Sequence, residues 1–427
     1  MTAELGLLNK TNVVLAADSA VTIGLYQKSF NTANKLFPLS NYEPIGIMIY
    51  NNADWMGIPL EIIIKAYTKQ LGDISFTTLE AYRDDFLKFI KNNFNHFITN
   101  EQIQDIIEIR LHLVLDVITE LFEAKLNDEI DELQNDNKTF NIKDVKQKVF
   151  FEVIDYISQI KDEILPEFEN YKIEEFKLEY KSVIDKILPG FFIHNKIDKT
   201  QKIVNRIYKR LYHEFICIFS DDEDFTGIVI AGYGSDEIFP SISEIKIGEI
   251  ISNKLRYEIK PIESIDNNNI TAIISPFAQR DVVDTFIRGI NVKSQNAIFD
   301  RMVNKIYEAC DKISIKNSID IKILLDEIMP VIDDVFEFTN ELSFENHISP
   351  IVDAISYLRK EDLIEIAESL IHLTSIKRKT SKEIQSVGGP IDIAVITKHE
   401  GFIWIKRKDF VNREFNSAFY NREFKKI

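Results

Sequence analysis

A strand that is apolar along almost its whole length has no face to offer water, and NVVLAADS, residues 12 to 19, reads as such a strand, buried on both sides. The stretch before it, TAELGLL, also reads as a strand, and Asn9-Lys10-Thr11-Asn12 between the two is a turn-rich tetrapeptide that closes a hairpin. A second strand pair is expected in Lys35-Leu36-Phe37-Pro38-Leu39 and in IGIMIY at 45 to 50, so the first fifty residues are β-rich.

From Ala53 the pattern turns helical. EQIQDIIEIRLHLVLDVITELFEAKL sets Ile103, Ile106, Ile107, Leu111, Val114, Val117, Ile118, Leu121 and Phe122 at the three- and four-residue spacing of one helical face. Amphipathic runs continue to IVNRIYKRLYHEFICIF, and no strand is read between about 55 and 215. Strands return in GIVIAGYGSDEIFPSISEIKIGEI. A helix is expected to start near Pro276 in PFAQRDVVDTFIRGI, since proline suits a first helical turn. Residues 295 to 380 are again helical, and GGPIDIAVITKHEGFIWIKRKDF closes the chain with a hairpin and a tail. Asn-Arg-Glu-Phe occurs twice in that tail, at 412 to 415 and 421 to 424, which reads as an arm docking Phe415 and Phe424.

Strands at the start, middle and end, interrupted by two helical blocks, predict an α+β fold: sheets packed on helices in one composite domain with large helical insertions. The expected divisions are 1–100 and 216–295 for the two halves of the sheet region, 101–215 and 296–380 for the insertions, and 381–427 for the last hairpin and tail.

Charge narrows the function. Lys and Arg total 51 against 68 Asp and Glu, a formal charge of -17, which repels a polyanion and argues against nucleic acid as a partner. No apolar run is long enough to span a bilayer, and the N-terminus lacks the basic and apolar regions of a signal peptide, so a cytoplasmic protein with no membrane partner is expected. Cys217 and Cys310 sit in apolar surroundings and read as buried free thiols. No metal or cofactor is implied: Asp221-Asp222-Glu223-Asp224 lacks the spacing of a calcium loop, AGYGSDE lacks the residues of a phosphate loop, and His213-Glu214 has no second histidine at metal-binding spacing.

One constellation carries chemistry. If Met1 is removed, Thr2 presents a hydroxyl and a free amine on one residue, and an α-amine with an ordinary pKa of about 8 can take the hydroxyl's proton. A fixed cation would hold that amine unprotonated and stabilise an oxyanion, and a carboxylate would hold the cation. Lys35 and Asp18 can supply them. Asp18 at the end of VVLAA is costly to bury unless paired.

With these residues in view, TAELGLLNKTNVVLAADSAVT resembles the start of proteasome β-subunits and their bacterial relatives. An N-terminal Thr there leads into a strand, a turn and a strand ending Ala-Asp-Ser. The resemblance places Thr2 at the nucleophile and Asp18 at the catalytic Asp, and ANKLFPL places Lys35 at the catalytic Lys. IYNNADW is similar to the family's Ser-Gly-x-x-Ala-Asp loop, which implies an oxyanion hole in the backbone N–H groups at Tyr50 and Asn51. The family's Asp-x-x-Ser-Gly brace reads Ile384-Gln385-Ser386-Val387-Gly388-Gly389 here, with Ser386 or Glu383 as substitutes. Where the family carries Gly-Ser-Gly, this chain has Ser275-Pro276-Phe277-Ala278-Gln279. The central and final hairpins are similar too, while most of 101–215 and 296–380 has no counterpart. The resemblance implies the four-layer αββα sandwich of N-terminal nucleophile (Ntn) hydrolases, a threonine amidohydrolase acting on peptides or proteins, and a homo-oligomer. The alternative is an inactive scaffold that binds a protein partner through its helical insertions.

Overall fold

The computed structural model describes residues 3–23, 28–30, 33–135, 139–160, 163–220, 225–317, 320–381 and 388–408, without the side chains of 21–23, 28–30 and 316–317. The opening hairpin forms as its pattern predicts, β1 (Ala3–Asn9) pairing antiparallel with β2 (Val13–Asp18). Asn9 closes the turn by accepting the N–H groups of Thr11 and Asn12 on its side-chain oxygen. Further strands are β5 (Leu36–Pro38), β6 (Ile45–Asn51), β9 (Thr226–Gly232), β10 (Ser241–Ile251), β11 (Lys254–Ile259), β13 (Ala272–Ala278), β14 (Ile391–Thr397) and β15 (Gly401–Lys406). Short pieces are β3 (Val21–Ile23) with β4 (Lys28–Phe30), β7 (Asp54–Trp55) with β8 (Ile58–Pro59), and β12 (Glu263–Ser264) on β10.

Two antiparallel sheets result, in the orders β13-β1-β2-β14-β15 and β11-β10-β9-β6-β5. Residue alternation decides what each face meets. In β2, Val13, Leu15 and Ala17 face the other sheet, alongside Met48, Tyr50, Val229 and Ala231. Val14 and Ala16 face α11 (Lys360–Thr380), with α7 (Arg280–Arg288) and α10 (Ser349–Tyr357) beside it. The second sheet repeats this: Ile47, Ile49, Ile228 and Ile230 pack on α1 (Leu60–Leu71) and α2 (Leu79–Phe97). The sheets thus face one another and carry helices on their outer faces, in a mixed α/β fold.

The first helical block, α3 (Asn100–Asn135), α4 (Ile142–Ile157), α5 (Ile173–Asn195) and α6 (Gln201–Ile216), has its own core around Phe150, Phe176, Leu188 and Phe215. It is tied to β10 by Arg110 and Glu249, 2.6 Å apart and both buried. On α3 most of the expected face is buried, with Ile107, Leu111, Val114, Ile118 and Phe122 in the core; Leu115 and Leu126 join them, while Val117 and Leu121 are exposed. With Ile109 and Leu113 they make an outward apolar stripe at four-residue intervals. The second block pairs α8 (Val292–Asn317) with α9 (Ile321–Ser343) through an edge-on contact of Phe299 and Phe336.

Two sequence expectations are corrected. Pro276 lies inside β13, opposite Leu5, and the helix begins only at Arg280. An edge strand tolerates a residue without an N–H, because one side of it has no ladder to serve. Between Ala53 and α1 the chain first makes the β7–β8 turn, with Met56 and Gly57 both at positive φ, and only then becomes helical. The Asn-Arg-Glu-Phe arm and the acidic run 221–224 fall outside the described residues. Cys217 and Cys310 are buried free thiols, as expected. Among the described residues no helix is long and apolar enough to cross a membrane.

The AGYGSDE glycines serve packing. A Cβ on Gly234 would lie 2.2 Å from the Thr77 carbonyl oxygen, where this turn closes against the start of α2. Gly234→Ala is therefore expected to cost about 1–3 kcal/mol in urea denaturation. Gly190→Ala, whose Cβ would meet nothing within 4 Å in helix α5, should be neutral or stabilising by up to about 1 kcal/mol.

Candidate functional site

The hairpin β1–β2 brings Glu4 and Asp18 to one end of the first sheet, and Lys35, immediately before β5, reaches them from the second. Lys35 Nζ lies 2.6 Å from Asp18 Oδ1 and 3.0 Å from Glu4 Oε1, with none of the three side chains more than 2% exposed. Asp18 is further held by backbone donors: the Ala3 N–H reaches Oδ1 at 3.2 Å, and the Gly388 N–H reaches Oδ2 at 2.8 Å. The Ala3 N–H belongs to the peptide bond between Thr2 and Ala3, so this carboxylate is anchored at that bond.

Asp18 and Lys35 are therefore brought together as the paired, buried cluster that the burial cost of Asp18 requires. Thr2, Glu383 and Ser386 lie outside the described residues. Gly388, two residues after Ser386, does contact Asp18, but through its backbone. Glu4 was missed: it is the one charged residue in AELGLLN, a strand otherwise written for burial, but nothing near it in the chain shows the cation that it meets.

Tyr50 and Asn51 occupy the end of β6, in register with Gly227 and Thr226 of β9. The Ile49 N–H donates to the Lys35 carbonyl at 2.9 Å. Strand alternation then turns the Asn51 N–H to the Lys35 side and the Tyr50 N–H toward β9. Of the two, only the Asn51 N–H leaves β6 on the β5 side, and the φ of 65° at Asn51 ends the strand there. The side chains of Asn51 and Asn52 both donate to the Phe225 carbonyl, at 2.8 and 3.1 Å, which fixes this loop. Tyr50 points between the sheets and donates to Glu244 Oε1 at 2.6 Å. Burial, and secondly the Glu244 charge, push its phenol far above the ordinary range, so it stays neutral.

Two neighbouring features shape the surroundings. Opposite Ala3, Ala278 ends β13 at φ 56°, a strained conformation for alanine, just before α7 begins. Next to Asp18, the Ser19 hydroxyl donates to the Pro390 carbonyl at 2.6 Å and accepts from Lys408 Nζ at 2.9 Å, while Lys408 also pairs with buried Asp392. A cleft of about 470 Å³ between α3 and β10 is lined by Asn52, Trp55, Arg110, Phe225 and Glu249. None of Glu4, Asp18 or Lys35 lines it.

The comparisons with known proteins correct the resemblance. No family model matches this chain, and no curated protein does. Among solved structures it is similar to an Anbu (Gly-1) mutant from Hyphomicrobium sp. strain MC1, at 9% identity and a TM-score of 0.26, covering 100% of this chain and 97% of that one. A similarity so low carries no argument about the fold. The membership in the proteasome β-subunit family that the opening residues imply is therefore not upheld.

The ion cluster makes its own prediction. Lys35→Met leaves two carboxylates buried without their cation and should cost about 3–5 kcal/mol by chemical denaturation. Adding Glu4→Gln and Asp18→Asn to Lys35→Met should recover a large part of that loss, because the charges left uncompensated are then gone. Wild-type stability in Lys35→Met alone would contradict the buried ion cluster.

Proposed function

We propose that this chain is an N-terminal threonine hydrolase acting on amide or peptide bonds, with Thr2 exposed by removal of Met1. The observation that carries this reading is the buried Lys35–Asp18 pair at 2.6 Å, whose carboxylate also accepts the Ala3 amide N–H, one peptide bond from Thr2. In this scheme the Thr2 hydroxyl oxygen attacks the substrate carbonyl carbon and its proton passes to the Thr2 amine. The Asn51 N–H receives the oxyanion. The amine returns the proton to the leaving nitrogen, and water then releases the acyl group from Thr2 by the same route. Lys35 supplies a fixed positive charge and Asp18 orients it. The facing sheets with helices on their outer faces would then serve as the αββα layering of Ntn hydrolases, with the helical blocks as insertions. The reading rests on the chemistry of these residues and not on family membership.

A second reading has one observation in its favour. Ile109, Leu113, Val117 and Leu121 expose an apolar stripe along α3, on the inserted block, of the kind that marks interaction surfaces. A non-enzymatic scaffold would use it to bind a protein partner, a second copy of this chain included.

Intact-protein mass spectrometry before and after an epoxyketone electrophile separates the two. The hydrolase reading expects a chain lacking Met1 that gains one covalent adduct, lost in Thr2→Ala and in Lys35→Ala. A retained Met1 with no adduct would sink it. The scaffold reading expects no adduct, and assembly in sedimentation velocity that Leu113→Asp with Val117→Asp abolishes.

A further inference from the structure

Helices α8 and α9 stand apart from the cores of the molecule. Among the described residues, none from Val292 to Ser343 belongs to the apolar clusters of the two sheets or of the first helical block. The pair is tied at its base, where Gln295 Nε2 donates to Thr339 Oγ1 and Asn340 Oδ1, both at 3.2 Å, and the Ser343 hydroxyl donates to the Arg288 carbonyl at 2.7 Å. A helix owes most of its stability to an apolar face packed against something. Of the 23 residues of α9, only Ile332 and Ser343 are buried.

The uncovered side of α9 is nonetheless patterned for packing. Leu324, Ile328, Val331, Val335, Phe338 and Leu342 recur at alternating spacings of four and three, the period of a helix–helix seam, and the last four are 41–60% exposed. Glu327, Asp334 and Glu341 each precede a seam residue and are exposed, which gives the seam one acidic edge. The other edge carries Leu325, Ile332 and Thr339, of which Ile332 is buried and Thr339 is bonded to Gln295 of α8. Helix α8 has the opposite charge: five basic residues against three acidic, where α9 has six carboxylates against Lys322 alone. Ile298, Arg301, Lys305, Ala309 and Lys312 share one exposed face of α8.

We propose that α8 and α9 pair with the same two helices of a second copy of this chain in a four-helix bundle, the α9 seam of each copy lying on the exposed α8 face of the other. Charge selects this arrangement. Antiparallel packing of α9 on α9 would set the acidic edge against itself, and parallel packing would set it against the edge already turned to α8. The α8 face brings arginine and lysine to the acidic edge instead. Two-fold symmetry makes the contact twice and joins the apolar sides of all four helices in one core. The bundle is independent of the chemistry at the Lys35 cluster.

Sedimentation velocity on the full chain tests this. The wild type should sediment as a dimer, and Val335→Asp with Phe338→Asp should raise the dimer dissociation constant about tenfold or more. A chain carrying Asp334→Lys and Glu341→Lys, and another carrying Arg301→Glu and Lys305→Glu, should each associate weakly alone, yet form a mixed dimer when combined, because both contacts then regain opposite charges. A monomeric wild type overturns the proposal. So does a dimer that survives Val335→Asp with Phe338→Asp, or one that Leu113→Asp with Val117→Asp on α3 abolishes. Failure of the two charge variants to associate on mixing overturns it too, even if the seam variant does not fold.

Discussion

Lys35 is the point where the two sheets are joined by charge. Its backbone belongs to the second sheet, where its carbonyl accepts the Ile49 N–H, while its ammonium is held by Asp18 and Glu4 of the first. A buried ammonium is tolerated only with partners of good geometry. The ends of β1, β2 and β5 must therefore be held in one arrangement. Around that contact the sheets close on apolar residues and on the Tyr50–Glu244 hydrogen bond, with Leu15, Ala17, Met48, Val229 and Ala394 filling the space between them.

The same packing places the loop at the end of β6. The Tyr50 ring lies directly over Gly227, where a Cβ would come within 2.1 Å of it, and it stacks at 5.4 Å on Phe277. A tyrosine anchored at its hydroxyl by Glu244 and beneath by a bare glycine has little freedom, so the Asn51 backbone beside it is held too. Rigidity of this sort suits a site that must be ready before its substrate arrives.

Much of this was legible in the residues. NVVLAADS announces a strand covered on both faces, and the burial cost of Asp18 demands a partner, which Lys35 supplies. The turn at Asn9 to Asn12 and the hairpin around His399-Glu400 follow from local chemistry. Other features were hidden for physical reasons. Pro276 reads as a helix start until β13 is known to be an edge strand, and the α3 spacing serves two adjacent faces, of which packing selected one. Glu4 looked like a charge near the terminus, because nothing local says that an ammonium thirty-one positions along the chain will reach it.

By itself the sequence determined the periodicity of each element, the burial of the first strands, the excess of acid over base, and the need of Asp18 for a cation, all of which depend on neighbours close in the chain. Only the tertiary structure decided that Lys35 answers to two carboxylates, that the Tyr50 hydroxyl is spent on Glu244, and that a stripe of α3 stays uncovered. Those outcomes depend on how separate elements pack and on the direction in which each strand's alternation is read, and neither is written in the local order of residues.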